Sequence, residues 1–230
     1  MNLKPETAVP IEAVIFDIGG VFIGLDFSRA VSRTAAALGM PAVYVRERLF
    51  GAGNPLSADR MTFMNDYECG RIDDAAFHRC VEHVLDAPLP FAEFKAAWNG
   101  IFLDPIYETM GMAEALCARG DLKLGILSNN NALHWSALRP ILPVVEKFEH
   151  VFLSHEIGLK KPSPEAFHHA LQSMSVRAER TLFVDDLEDN IKAAERIGIK
   201  TIHATNSRAV LSGFAAHGIE FPAISPDDSS

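Results

Sequence analysis

Ala13-Val14-Ile15-Phe16-Asp17-Ile18-Gly19-Gly20-Val21-Phe22 is the stretch on which the reading of this chain turns. Four apolar residues run into one aspartate, and two glycines follow almost at once. An unbroken apolar run of strand length, stopped by glycines, is the pattern of a strand buried on both faces. Asp17 then stands at the carboxyl end of that strand, the edge where open α/β sheets bind ligands. An unpaired carboxylate is costly to bury, so Asp17 needs a chemical task. The candidate is a nucleophile that also holds a metal ion.

Beyond Gly20, the segment from Val21 to Ser28 is a short apolar excursion broken by Gly24, expected as a turn or hairpin leaving the sheet edge. Asp26 or Ser28 can cap the helix that follows, which Gly39 and Pro41 close. Helices are expected over 28–38, 41–50, 57–68, 73–85 and 90–99, separated by Gly51, Gly53, Pro55, Gly70, Pro88 and Pro90. None of these segments reads as a buried parallel strand. Alternation then begins: a helix over 105–119 with Pro105 in its first turn, then a strand over 122–127 running into Ser128-Asn129-Asn130-Asn131. A helix presenting Leu133, Trp135, Leu138 and Leu142 follows, then a short strand at Val151-Phe152-Leu153-Ser154, a loop through Lys161-Pro162 and a helix from Pro164 to Met174. A strand at 180–184 ends in Asp185-Asp186, a helix spans 189–197, and a last strand lies at 200–204. Strands alternating with helices imply an α/β fold with a doubly wound parallel sheet. Two units are expected: a Rossmann-like core from 1–25 plus 106–230, and an inserted α-helical cap over 26–105.

The 230 residues carry 21 Lys and Arg against 30 Asp and Glu, a net charge of −9. So acidic a chain is a poor partner for nucleic acid or an anionic membrane, and an anionic small substrate needs local help from a metal or a lysine. Cys69, Cys80 and Cys117 are scattered with no C-x-x-C spacing, so neither a zinc site nor a disulfide framework is expected and a reducing cytoplasm fits. The first ten residues have no apolar run, so no signal peptide is expected, and no stretch of about 18 apolar residues is present to span a membrane. The end from Pro226 reads as a frayed tail.

Four polar clusters thus fall at strand ends: Asp17, Ser128-Asn129, Lys161 and Asp185-Asp186. A parallel sheet brings such ends to one edge, and their types suit phosphoryl transfer. Asp17 and Asp186 can hold Mg²⁺, which prefers oxygen ligands. A hydroxyl and the N–H groups opening the helix after 128 can receive phosphate oxygens. Lys161 can pair with both nucleophile and phosphate as a point charge.

Asp17 after an apolar strand, Leu127-Ser128-Asn129, Gly158-x-x-Lys161-Pro162 and Val184-Asp185-Asp186 before Asn190 resemble, in order and spacing, the four motifs of the haloacid dehalogenase (HAD) superfamily. The resemblance spans essentially the whole chain. The form of the first motif, the Tyr67-to-Ile72 segment and the run from Ser128 to His134 are similar to a branch that includes glucose-1-phosphate phosphatases. The resemblance implies a Mg²⁺-dependent phosphatase acting on a small phosphorylated metabolite, plausibly a sugar phosphate, through an aspartyl-phosphate. It implies Asp17 and Lys161 as catalytic residues, Ser128 and Asn129 for phosphate, Asp17, the Gly19 carbonyl and Asp186 for metal, and Asp185 and Asn190 behind them. Arg71 and His134 are candidate substrate contacts, and Lys160 reads as a solvated charge. Most phosphatases of the superfamily carry a second aspartate, a general acid, two positions after the nucleophile. Here that position is Gly19. Two other readings therefore remain: carbon–halogen hydrolysis by the same aspartate, which the retained Asp185-Asp186 pair disfavours, and a catalytically weak phosphate-binding module.

Overall fold

A computed structural model describes residues 10–51 and 57–221, with the backbone alone over 57–61. The breakers Gly53 and Pro55, the first nine residues and the tail from Pro226 lie outside the described residues. Strand β1 (Ala13–Phe16) is fully buried and is followed by β2 (Ile23–Leu25). Five helices come next: α1 (Phe27–Leu38), α2 (Ala42–Phe50), α3 (Ser57–Glu68), α4 (Asp74–Leu85) and α5 (Phe91–Trp98). Then follow β3 (Phe102–Pro105), α6 (Tyr107–Arg119), β4 (Lys123–Ser128), α7 (Ala132–Leu138), β5 (His150–Leu153), the single turn α8 (Ser154–Ile157) and α9 (Pro164–Met174). The chain continues through β6 (Thr181–Asp185), α10 (Glu188–Arg196), β7 (Lys200–His203) and α11 (Ser207–Ala216).

The main sheet runs β5-β4-β1-β6-β7 with every pairing parallel. The chain starts at the centre, builds outward on one side and then crosses to the other. The strand ends around β1 therefore form the topological switch point where ligands settle in such sheets. Successive β1 side chains point to opposite faces. Val14 and Phe16 join a core with Phe148 and Phe214, whereas Ala13 and Ile15 pack with Phe167 and Phe183. Two covered faces are what the continuous apolar run of β1 required.

Helices α1–α5 close on a core of their own around Phe77, Phe94, Val45 and Leu85, which Leu133 of α7 enters from below. Asp26 caps α1: its carboxylate accepts from Ser28 N–H at 2.9 Å. One expectation is corrected, and one element is added. Pro105 does not open a helix; it pairs with Ile23 in the antiparallel β2–β3 ribbon, and α6 starts at Tyr107. That ribbon, three residues against four, carries the chain out to the helical layer and back. The segment after 204 also forms α11, whose mid-helix Gly213 lets it lie against Ile202, where a Cβ would come within 2.7 Å.

Candidate active site

The register of the sheet assembles the site. Phe16 lies level with Ile126 on one side and Val184 on the other. Asp17, the next residue, extends the ladder by donating its N–H to Val184 O at 2.9 Å. Asp17, Ser128 and Asp185 are thereby held on three adjacent strands, all with little or no exposure.

Lys161 enters from the loop after α8 and is 1 % exposed. Its ammonium donates to Asp185 Oδ2 at 2.6 Å and lies 2.9 Å from Asp17 Oδ1. The Phe183 ring sits 5.2 Å away and adds a favourable aromatic face. Asp185 is saturated: Asn190 Nδ2 donates to both its oxygens at 3.0 Å, and Leu187 N–H to Oδ1 at 2.8 Å. Asp17 is not. The Lys161 contact is ionic but off the hydrogen-bonding direction, so Oδ1 is buried without a hydrogen bond.

Burial pushes the Asp17 carboxyl up to about 6, against the pull of Lys161 and with Asp185 adding to the rise. Burial also opposes the charge on Lys161, yet the two carboxylates hold it above the usual lysine range. Asp186, half-buried, is raised by burial and then by Asp185. Oxygens of Asp17, Asp185 and Asp186 lie within 4.8 Å of one another. Three carboxylates against one ammonium leave an excess of negative charge, and two of the three keep oxygen available. An all-oxygen set of three carboxylates facing a single ammonium fits a hard divalent cation such as Mg²⁺. Gly20 is what permits the approach: it sits at φ 67°, and a Cβ there would stand 2.2 Å from Asp186 Oδ2.

Asn129 is placed differently from its expected part. Its side chain donates to Lys161 O and accepts from Lys161 N–H, both at 2.8 Å. It braces the lysine backbone, which leaves its own N–H as the group it can offer an anion. Asn131 caps α7, its Oδ1 accepting from His134 N–H at 3.0 Å. His134 is buried, with Nδ1 2.9 Å from Asn131 Nδ2 and Nε2 3.1 Å from Trp98 O. Burial drops its pKa to about 4, so the ring is neutral and serves as an Nε2–H donor to that carbonyl. Arg71 lies away from these groups, exposed, paired with Asp66 at 2.8 Å. Lys160 is no solvated charge. It reaches the helical layer, bonding Glu68 at 2.5 Å and Asn65 at 2.7 Å.

A chamber of about 130 Å³ lies between the strand ends and the helical layer, beginning at Ile18 and Gly19 beside Asp17. Ser128, Asn129 and His134 are on its wall, as are Trp98 and Phe102, which the sequence reading passed over. Trp98 stacks on His134 with ring centroids 5.3 Å apart. Nothing in the local pattern marks Trp98 as facing a site, since α5 reads as an ordinary amphipathic helix.

The model of the haloacid dehalogenase-like hydrolases matches residues 11–198. The chain belongs to that family, and it is a hydrolase of the phosphatase kind. The D-ribitol-5-phosphate phosphatase of Bacteroides thetaiotaomicron is 25% identical over 203 residues, 85% of this chain and 93% of that protein. A sesquiterpene phosphatase of Aspergillus oryzae is 25% identical over 201 residues, 86% of this chain and 92% of its own. The crystal structure of a HAD family enzyme from Bacteroides thetaiotaomicron, in complex with magnesium and inorganic phosphate, superposes with a TM-score of 0.69 at 26% identity, covering 83% of this chain and 92% of that one.

Proposed function

We propose that the protein hydrolyses a small phosphate monoester, with Asp17 as the phosphate acceptor and Mg²⁺ held by Asp17, Asp186 and the Gly19 carbonyl. The observation that carries this reading is the buried Asp17 oxygen that no hydrogen bond satisfies, 2.9 Å from a buried ammonium and beside two further carboxylates. The ion, when bound, neutralises phosphate charge and polarises a phosphoryl oxygen. Ser128 Oγ and the Asn129 N–H receive phosphate oxygens. Lys161 offsets the repulsion between nucleophile and substrate. An Asp17 oxygen bonds phosphorus as the ester oxygen departs with its electron pair. Water then attacks phosphorus, loses a proton, and releases inorganic phosphate and the free carboxylate.

Residues 26–105 act in this reading as a cap over a core made from 1–25 and 106–230, and the chamber between them receives the alcohol part of the ester. The D-ribitol-5-phosphate phosphatase supports a sugar phosphate and the sesquiterpene phosphatase an apolar one, so the alcohol of this chain's ester is set by its own chamber. The three free cysteines suit a reducing cytoplasm. No helix among the described residues is long and apolar enough to cross a membrane.

The test is phosphate release from acetyl phosphate by wild type and Asp17→Asn, with Mg²⁺ and with EDTA. The reading expects release that Asp17→Asn lowers by about 10³-fold or more, in line with removal of a covalent catalyst, and that EDTA abolishes. Equal rates in the two proteins, or release indifferent to EDTA, would defeat it.

A further inference from the structure

The chamber beside Asp17 is apolar in a particular way. Leu25, Phe27, Phe50, Met64, Trp98 and Phe102 supply much of its wall. Three of them stand open to solvent, Leu25 at 36 %, Phe27 at 56 % and Phe50 at 42 %. Large apolar side chains exposed together around a cavity mark a surface that a ligand covers.

Most of its polar lining is already engaged, and Ser128 faces the phosphate in the proposed reaction. Tyr67 donates to Asp74 at 2.6 Å, Glu68 is held by Lys160, and Asn129 is closed onto the Lys161 backbone. Asn130 Oδ1 accepts from Asn131 N–H, and Asn131 and His134 bond each other. Trp98 Nε1 lacks a partner, but it is covered and offers a ligand no surface. A polyol entering this chamber would find few groups left to pair its hydroxyls, and each one left unpaired is a loss of about 1–3 kcal/mol. An apolar group makes no such demand.

Size and acidity narrow the class further. The volume of about 130 Å³ is close to that of an apolar cavity that takes up one benzene ring, roughly 150 Å³. No acid on the described wall is free to protonate a leaving oxygen. Gly19 has no side chain, Glu68 is ion-paired, and His134 is neutral with both ring nitrogens engaged. The ester oxygen therefore departs as an anion, which favours an alcohol of phenol-like acidity, pKa about 10, over an alkyl alcohol.

From the apolar, self-satisfied wall and the missing proton donor we infer that the substrate is the phosphate monoester of a compact, single-ring aromatic alcohol. The inference rests on Asp17 as phosphate acceptor. The Asp17 oxygen bonds phosphorus, the phosphorus–aryl oxygen bond breaks, and the aryloxide takes its proton from water after leaving. Leu25, Phe27, Trp98 and Phe102 pack around the ring.

The test is kcat/KM of the full chain with Mg²⁺ on four esters, phenyl phosphate, 4-carboxyphenyl phosphate, benzyl phosphate and D-ribitol 5-phosphate, and on the acyl phosphate acetyl phosphate. Phenyl phosphate is expected to exceed D-ribitol 5-phosphate by about 100-fold or more, and 4-carboxyphenyl phosphate, whose aryl oxygen leaves at least as well, by about tenfold. Benzyl phosphate, equally apolar but a poor leaver, should fall between phenyl and D-ribitol 5-phosphate. Leu25→Gln should cut the phenyl to 4-carboxyphenyl ratio several-fold. If D-ribitol 5-phosphate matches phenyl phosphate while acetyl phosphate is cleaved in an Asp17-dependent way, the substrate class is wrong and the phosphatase reading stands. If 4-carboxyphenyl phosphate matches phenyl phosphate, the apolar wall does not select the ring and the inference drawn from it falls. If neither any ester nor acetyl phosphate is cleaved in an Asp17-dependent way, both readings fall together.

Discussion

Replacing Lys161 by methionine keeps most of the side-chain length and removes its charge. In the folded protein the ammonium lies 2.9 Å from Asp17 and 2.6 Å from Asp185, with all three groups essentially out of solvent. Without it, two buried carboxylates face each other with no cation. Removing one partner from such an arrangement costs about 3–5 kcal/mol. Part of that is recovered when one carboxyl takes up a proton. Lys161 lowers the Asp17 pKa, so its loss raises that pKa further above the present value of about 6. A folded-state pKa above the unfolded one means that the folded protein binds the extra proton. The variant's deficit relative to wild type therefore grows as pH rises from the wild-type value of about 6 through the further raised value. The assay is urea unfolding in EDTA at pH 5 and pH 7.5, for wild type, Lys161→Met, and Lys161→Met with Asp185→Asn. The single variant should lose about 3–5 kcal/mol at pH 7.5 and visibly less at pH 5. The double variant should recover at least about 1 kcal/mol of the loss, since one carboxylate is gone. A Lys161→Met protein as stable as wild type at pH 7.5 would refute the claim that Lys161 is held there by charge.

Three further outcomes follow from particular contacts. Gly20→Ala adds a Cβ where Asp186 Oδ2 stands 2.2 Å away, at a φ of 67° that disfavours a side chain; it should weaken Mg²⁺ activation by about 10–100-fold, read from a Mg²⁺ titration of rate, and an unchanged titration would count against Asp186 as ligand. Gly19→Asp meets only the tip of Leu25, with Cδ1 at 2.6 Å, and its φ is not in the left-handed region; it should speed benzyl phosphate hydrolysis by at least about tenfold through a new proton donor while leaving phenyl phosphate little faster, and equal gains on both esters would contradict the missing-acid account. The depressed pKa of His134, about 4, contributes stability that is complete above the unfolded value near 6.5 and lost as pH falls towards 4, at most about 3 kcal/mol; His134→Gln should flatten that part of the pH–stability curve in equilibrium denaturation, and a curve of unchanged slope would place the titration elsewhere.

The sheet and the residues that meet at its edge were legible because each leaves a local mark. β1 reads as a buried strand from Ala13–Phe16 alone, and an aspartate or serine directly after such a run can only sit at its carboxyl end. What escaped has no such mark. The β2–β3 ribbon is too short for alternation to show, and Pro105 looks like a helix start until Ile23, 82 positions earlier, is found opposite it. α11 carries Gly213 at its middle, a residue that argues against a helix and makes sense only beside Ile202. The Asn129 side chain holds the Lys161 backbone, a partner 32 residues away that nothing in the local sequence marks. Trp98 and Phe50, at the ends of α5 and α2, and Phe102, at the start of β3, reach the chamber through tertiary packing, which a single sequence does not reveal.

Lys160 and Lys161 are neighbours in the chain that serve opposite sides of the chamber. One carries its charge to Glu68 and Asn65 in the helical layer; the other carries its charge to Asp17 and Asp185 at the sheet edge. The outer pair is about one-third exposed, with side chains at 29% and 38%, and pairs of that kind hold with at most about 1 kcal/mol. Its worth therefore lies in alignment rather than in strength. Glu68 belongs to the wall that meets the alcohol, and Lys161, one peptide bond from Lys160, belongs to the machinery that meets the phosphate. Two consecutive residues of one loop thus tie the helical layer and the sheet edge to the same stretch of backbone, so the loop that places the buried ammonium is itself anchored to the layer opposite.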